Sequence, residues 1–412
     1  MSILKSKKSL FISYDGLLDQ LGASQILPYV EGLVTHLDEM HVISFEKRNK
    51  MNQGGKELSK KLIDKGIYWH PLIFSSRFGA TGKIIDVIKM QFCSIYFSWK
   101  YSIDVVHCRS HIPAMIACVI KLILPIKLLF DFRGLWVDER LDKGGWNKEN
   151  FFHNIQYKIF KSIERFLLSR ADHIVVLTKK VIDEIKILGQ VNSENISMIP
   201  CCADYQHFQN HNNNSYLKST LNIPKTSKVI GYLGSIGKIY MIREIIIFFK
   251  ECIASHPSTI LVVVTNELED FMLVAKKELN EEQFKNIRVQ SASRDEVPNY
   301  INLMDLMVMF YVPTYARMAT CPTRMGESFA CGVPILSNQG IGDVTEIVSD
   351  LNGGIMIDDT TEQSILIGMN KFFEGNFLSG NELRNASEKI FSLDAGIQKY
   401  MKVYESIFLL EN

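Results

Sequence analysis

The sequence predicts an α/β protein of two successive doubly wound parallel sheets, and three observations carry that expectation. At 412 residues the chain is too long for one ordinary domain and suits two. Strand-like apolar runs alternate with helical patterns, the pattern of a parallel sheet covered by helices on both faces. The alternation then restarts after Asn210–Ser215, a polar connection with four asparagines in six residues. The expected division is 1–205, 206–390 and a terminal segment 391–412.

In the first half, Ser9–Ser13 reads as the first core strand, followed by a helix over Ser24–Leu37 and a strand over His41–Phe45. Further strands are expected at Val105–His107, Lys127–Asp131 and His173–Leu177, with a long helix over Phe152–Ser169. In the second half, Lys228–Leu233 is a strand, Ile242–Ala254 a helix, and Thr259–Val264 a strand of mostly β-branched residues. Asn286–Val289, Leu306–Phe310 and Val333–Leu336 supply further strands. The terminal Leu393–Leu409 is amphipathic, with Ile397, Tyr400, Met401, Tyr404 and Ile407 on one stripe. Two doubly wound sheets place a ligand cleft at the carboxyl ends of the strands, with the domains facing each other across it.

Bulk properties exclude several classes. Forty-six basic against 45 acidic side chains leave no global field for nucleic acid. Eight scattered cysteines, with no Cys-x-x-Cys, read as reduced thiols rather than a zinc site or a disulfide framework. The most apolar stretch, Ile112–Phe132, is interrupted by Lys121, Pro125, Lys127 and Asp131, so no membrane span is expected. Ser9–Ser13 is too short for a secretory core.

Thr320–Asn338 is the most informative segment. Thr320 or Cys321 is expected at a helix N-cap with Pro322 in the first helical position, where proline is best tolerated. The amides of Thr323 and Arg324 then point outward at the positive end of the helix dipole, which suits a phosphate. Glu327 follows about one turn later, placed to accept hydrogen bonds from a sugar hydroxyl, and Gly332 stops the helix before a buried strand. A phosphate at a helix start beside a hydroxyl-binding carboxylate describes a nucleotide site.

This segment resembles the donor-binding signature of glycosyltransferase family 4, retaining enzymes of the two-domain GT-B fold. It is similar to a branch that carries Pro-Thr-Lys/Arg-x-Gly-Glu here. The resemblance extends to Asn338–Asp343, Ile199–Asp204 and Tyr14–Gly22. Glu327 matches the second of the family's two glutamates, which implies contact with the nucleotide ribose, while Ala319 stands where the first would be. Gly22-Ala23 resembles the family's glycine-rich donor loop; a simple turn glycine is the other reading. In the Gly231–Lys238 loop, Gly234 begins the second diphosphate cradle, but Ser235 and Tyr240 occupy the positions of the family's Arg and Lys clamp. Lys238, Arg243 or Arg324 could restore that charge, with Arg324 favoured for its place on the phosphate turn, whereas Lys238 is otherwise a solvated loop lysine.

The resemblance also implies a strand-end histidine that touches the transferred sugar, and His107, Arg109 and His111 compete for the role against simple packing. Asp131, Arg133, Asp138 and Glu139 are expected on the acceptor side, with a structural salt-bridge network as the alternative. Ser291 is the candidate reader of the base. Lys83–Tyr101 mixes Ile85, Ile88, Met90, Phe92, Ile95, Tyr96, Phe97 and Trp99 with Lys83, Lys89 and Lys100, with Lys121 and Lys127 nearby in sequence. This resembles a membrane-interfacial surface as much as an amphipathic core helix.

The implied function is retaining transfer of a sugar from a nucleoside-diphosphate donor to a saccharide or lipid-linked saccharide. Branch members commonly build bacterial capsule, O-antigen or exopolysaccharide, which implies a cytoplasmic enzyme at the inner leaflet. The chain has no Asp-x-Asp, so neither metal nor other cofactor is expected. The competing readings are a nucleotide-sugar epimerase and a non-catalytic scaffold on the same fold.

Overall fold

The computed structural model describes residues 3–75, 79–211 and 215–409, and the chain divides into two units, Met1–Pro200 with Leu393–Asn412, and Cys201–Ser392. The division falls at 200/201 and 392/393, a few residues from the expected 205/206 and 390/391. Within the asparagine-rich connection, residues 212–214 lie outside the described residues. Asn210 and His211 already belong to the second unit, where they bond Asn381 and Asn302.

The described strands of the first unit are β1 (Lys8–Ser13), β2 (Glu39–Glu46), β3 (Ile67–Ile73), β4 (Val105–Arg109), β5 (Lys127–Phe132), β6 (His173–Val176) and β7 (Ile196–Met198). All pair in parallel in the order β3-β2-β1-β4-β5-β6-β7. Strand order runs outward from β1 to β3, then reverses to β4, so the topological switch lies between β1 and β4. Interior strands are covered on both faces, which is why β4 is buried at all five positions although it carries His107 and Arg109.

The terminal helix Leu393–Leu409 completes this unit by packing on the helix Leu27–Val34. Tyr400 meets Tyr29 edge-on at 5.4 Å, and the Tyr404 hydroxyl lies 3.0 Å from Ser9 Oγ on β1. The helix expected over Ser24–Leu37 is two helices, Gln20–Gln25 and Leu27–Val34, because Pro28 can only stand in the first turn of a new helix.

The second unit contains β8 (Val229–Leu233), β9 (Ile260–Val264), β10 (Ile287–Gln290), β11 (Leu306–Met309), β12 (Ile335–Asn338) and β13 (Gly354–Ile357). These are parallel in the order β10-β9-β8-β11-β12-β13, with the switch between β8 and β11. Its core gathers Ile230, Leu261, Val263 and Phe310 from the sheet with Phe248 and Phe249 from the helix Ile242–Ser255. β3, β7 and β13 were not expected from sequence, and all three are sheet edges. β3 carries Pro71, which an edge tolerates, β7 has three residues, and β13 opens on Gly354 at φ +148°. A Cβ there would lie 2.0 Å from the Ile335 carbonyl oxygen, so this edge can approach β12 only through glycine.

Candidate functional site

At the carboxyl ends of β8 and β11 three segments of the second unit come together. The loop leaving β8 turns at Gly234 (φ +154°), whose N–H donates to Val264 O, and is tied down twice more. The Tyr232 hydroxyl donates to the Ser235 carbonyl at 2.5 Å, and the Ile236 amide donates to Glu267 Oε2. Ser235 and Lys238 are exposed on this loop. The chain then returns along the segment after β11, where Tyr240 bridges to Tyr311 with ring centroids 5.4 Å apart. Asn338, at the end of β12, donates to Tyr311 O at 3.0 Å and accepts from Tyr311 N at 2.9 Å. Its amide thus copies a strand partner and fixes the Tyr311 backbone.

The third segment is the helix Thr323–Ala330, which begins one residue later than expected, with Pro322 itself as N-cap. Cys321 cannot serve as cap because its Sγ accepts from Cys201 N, and Thr320 is extended at the end of the short helix Tyr315–Ala319. No side chain caps the helix, so its first turn keeps the positive dipole end uncompensated. Glu327, 2% exposed, accepts from Arg324 Nη1 at 2.6 Å. That carboxylate, first of all, raises the Arg324 pKa. Ala319, at the position of the family's first glutamate, is buried.

Arg294, on the loop leaving β10, joins this group and was missed in favour of Ser291, which is exposed. Burial lowers the Arg294 pKa, while the charges of Glu327 and Asp204 oppose that shift, so the guanidinium stands within electrostatic reach of both. Burial also pushes the Tyr232 and Tyr311 phenols far up, which leaves them neutral hydrogen-bond donors. This group of residues therefore offers a helix start, two guanidinium groups and the Tyr311 phenol to an anion, with one buried carboxylate for hydroxyl groups, while the Tyr232 hydroxyl is spent on Ser235.

In the first unit, Gly22 is explained by packing, since a Cβ would fall 1.9 Å from the Gly16 carbonyl oxygen. The Ala23 amide donates to Asp19 O inside the same turn. That loop hangs on a residue the sequence did not single out. Glu46, buried at the end of β2, accepts from Leu17 N at 2.7 Å, Leu18 N at 3.3 Å and Ser44 Oγ at 2.7 Å.

Arg109 ends β4 in register with Ser13 of β1 and Asp131 of β5. Arg133 Nη1 lies 3.6 Å from Asp131 Oδ1, so Arg109, Asp131 and Arg133 gather at the switch point. His107 sits two pairs deeper, its Nδ1 3.0 Å from the Tyr404 hydroxyl and its ring 4.5 Å from Phe11. Burial lowers its pKa to about 4, so it is neutral. His111 bonds Glu164 at 2.9 Å among Phe130, Phe132 and Trp136. Lys161 joins Glu164 to Asp138, which also accepts from Tyr157 at 2.8 Å. Glu139 pairs with Lys143 at 2.9 Å. His107 through Nδ1, His111 through Nε2 and Asp138 through both carboxylate oxygens thus each hold an internal partner. Arg109, Asp131 and Arg133 remain the polar groups at the strand ends.

Residues 68–207 match the family described as Glycosyltransferase Family 4, and residues 215–390 match Glycosyl transferases group 1. The chain belongs to glycosyltransferase family 4. A comparison with curated proteins finds no match. The fold of this glycosyltransferase is GT-B, like that of the Anabaena protein Alr3699/HepE, crystallised with UDP and glucose (TM-score 0.70, 13% identity, 97% of this chain and 100% of that one). It is similar to the sucrose-phosphate synthase of Thermosynechococcus elongatus (TM-score 0.68, 13% identity, 98% and 100%). The lipopolysaccharide outer core galactosyltransferase WaaB also resembles it (TM-score 0.64, 11% identity, 97% and 99%). At these identities the likeness concerns the fold.

Proposed function

We propose that this glycosyltransferase moves a sugar, with retention, from a nucleoside-diphosphate donor to a hydroxyl of a saccharide or lipid-linked saccharide in bacterial surface polysaccharide assembly. One observation carries the reading: a side-chain-uncapped helix start with Arg324 in its first turn and the buried Glu327 one turn on. Donor entry exchanges partners. The diphosphate takes Arg324 together with the helix amides, and ribose hydroxyls replace Arg324 at Glu327.

Arg294 and the phenols of Tyr240 and Tyr311 stand within electrostatic reach of the Arg324–Glu327 pair, where preorganised donors stabilise charge growing on the leaving diphosphate. The acceptor oxygen bonds to the anomeric carbon on the face that the diphosphate leaves. The carbon–oxygen bond to phosphate breaks, and the acceptor proton passes to a phosphate oxygen, giving a glycoside and a nucleoside diphosphate. On this reading no metal or other cofactor takes part, in keeping with a sequence free of Asp-x-Asp. The UDP bound by the HepE neighbour makes a uridine donor the first to test, and WaaB supports the polysaccharide context.

The test is a thermal-shift panel of UDP, GDP, ADP, CMP and dTDP on wild type and Glu327→Ala. One nucleotide is expected to raise the melting temperature of wild type, the shift growing with its concentration over Kd, and to lose that effect in the variant. No stabilisation by any of them would overturn the donor assignment.

A further inference from the structure

Within the first unit, the helix Gly79–Lys100 is built inside out. Its buried positions are Gly82, Asp86, Met90, Ser94 and Ser98, mostly small or polar. Ile84, Ile85, Ile88, Phe92, Tyr96 and Trp99 instead lie exposed, with Phe92 at 69% and Trp99 at 67%. At 100° per residue these six cluster on the face opposite Met90. An ordinary core helix would show the reverse.

Two neighbouring helices repeat the pattern. Phe152, Ile155, Ile159 and Phe166 form an exposed stripe on the helix Phe151–Arg170, opposite its buried Glu164 and Leu168. Leu122, 83% exposed, and Ile123 end the helix His111–Ile123, which packs between the other two. The helix Gly79–Lys100 connects β3 to β4, His111–Ile123 connects β4 to β5, and Phe151–Arg170 lies between β5 and β6. All three connections advance in the same direction across the sheet, so right-handed crossovers put the helices on one side of it. Their outward stripes therefore make one apolar layer.

The charges on this layer have one sign. Across the three helices the acidic residues are Asp86 and Glu164, both buried. Lys83, Lys89, Lys100, Lys158, Arg165 and Arg170 are exposed, although the whole chain is balanced at 46 basic to 45 acidic residues. An apolar layer fringed only by cations complements an anionic lipid interface, where rings and aliphatic chains enter the acyl boundary and lysines meet headgroup phosphates. A second copy of the chain would bring the same positive fringe against itself.

We propose that the outer faces of Gly79–Lys100, His111–Ile123 and Phe151–Arg170 form a membrane-docking platform for anionic bilayers. The sequence pattern pointed to the first helix alone. This surface stands independently of the donor chemistry of the second unit.

The experiment is co-sedimentation of the full chain with phosphatidylglycerol/phosphatidylethanolamine vesicles and with phosphatidylcholine vesicles. It compares wild type with Phe92→Glu/Trp99→Glu and with Phe152→Glu/Ile159→Glu. Wild type should bind the anionic vesicles at least about tenfold more tightly than the neutral ones, and weaken in about 0.5 M salt. Each double variant should bind at least about tenfold more weakly than wild type, with an unchanged melting temperature because every replaced side chain is exposed. Wild type that ignores anionic vesicles, or variants that bind as well as wild type, would overturn the platform. So would a wild-type dimer that the variants convert to monomers without any lipid binding, which would assign the face to a second copy. UDP shifts measured on the same variants keep a failure of the donor reading distinguishable.

Discussion

Glu327→Gln tests the partner exchange most directly, because it should move the affinities of two ligands in opposite directions. Arg324 is held at 2.6 Å by a carboxylate that is 2% exposed, while the Arg324 side chain itself is 35% exposed. A fully buried pair loses about 3–5 kcal/mol when one partner is removed, and exposed pairs are worth about 0–1 kcal/mol. This half-open pair should therefore couple by about 1–2 kcal/mol. Any phosphate that recruits Arg324 must first overcome that coupling. Inorganic pyrophosphate, which has no ribose, should then bind Glu327→Gln roughly 5–30-fold more tightly than wild type. Uridine, which has ribose but no phosphate, should bind more weakly for want of the ionised acceptor. Isothermal titration of pyrophosphate, uridine and UDP against both proteins reads all three terms. If pyrophosphate binds the variant no better than wild type, Arg324 and Glu327 are not competing for the ligand and the exchange mechanism is refuted.

Two further outcomes follow from the first unit. His107 is buried and His70 half-buried, and their pKa values lie at about 4, while the unfolded chain titrates near 6.5. Protons therefore bind the unfolded chain first, and stability should fall as pH drops from about 6.5 toward 4, by up to about 1.4 kcal/mol per pH unit for each histidine. Urea titrations across that window should show the slope, and His107→Gln should reduce it; an unchanged slope would mean that His107 does not contribute. Lys161→Met leaves Asp138 and Glu164 without their shared cation and should cost about 3–5 kcal/mol in the same assay. A loss below about 1 kcal/mol would show that the network is not holding the helix in place.

What could be read from sequence follows the range of the interactions involved. An interior strand such as β9 is buried on both faces and announces itself as an apolar run. The edges β3, β7 and β13 carry Pro71, a length of three residues, and Gly354, so no run marks them. Thr323, Arg324 and Glu327 were legible because one helical turn brings them together. Arg294 was not, because the exit of β10 carries it to a carboxylate more than thirty residues later. His107 shows the limit most sharply: nothing local to a strand-end histidine announces that its Nδ1 meets the hydroxyl of Tyr404, 297 residues further along.

The departures from the family pattern bear on whether the site has been retired. Ala319, Ser235 and Tyr240 each remove a charge that most of the family uses, which alone would favour a scaffold. The positive charge of the clamp is nevertheless replaced within the same unit, by Arg324 on the phosphate turn and by Arg294 beside Glu327, whereas the carboxylate lost at Ala319 is not. Burying a carboxylate and partly burying two guanidinium groups does little for a fold, since apolar side chains of similar volume commonly stabilise as well or better. A scaffold freed from donor binding has no physical reason to keep such a cluster at the uncapped start of a helix. Its persistence at the β8–β11 switch, where open α/β sheets hold ligands, argues for a site that still binds an anion. The missing clamp then reads as a redistribution of charge from the β8 loop to the helix and the β10 exit.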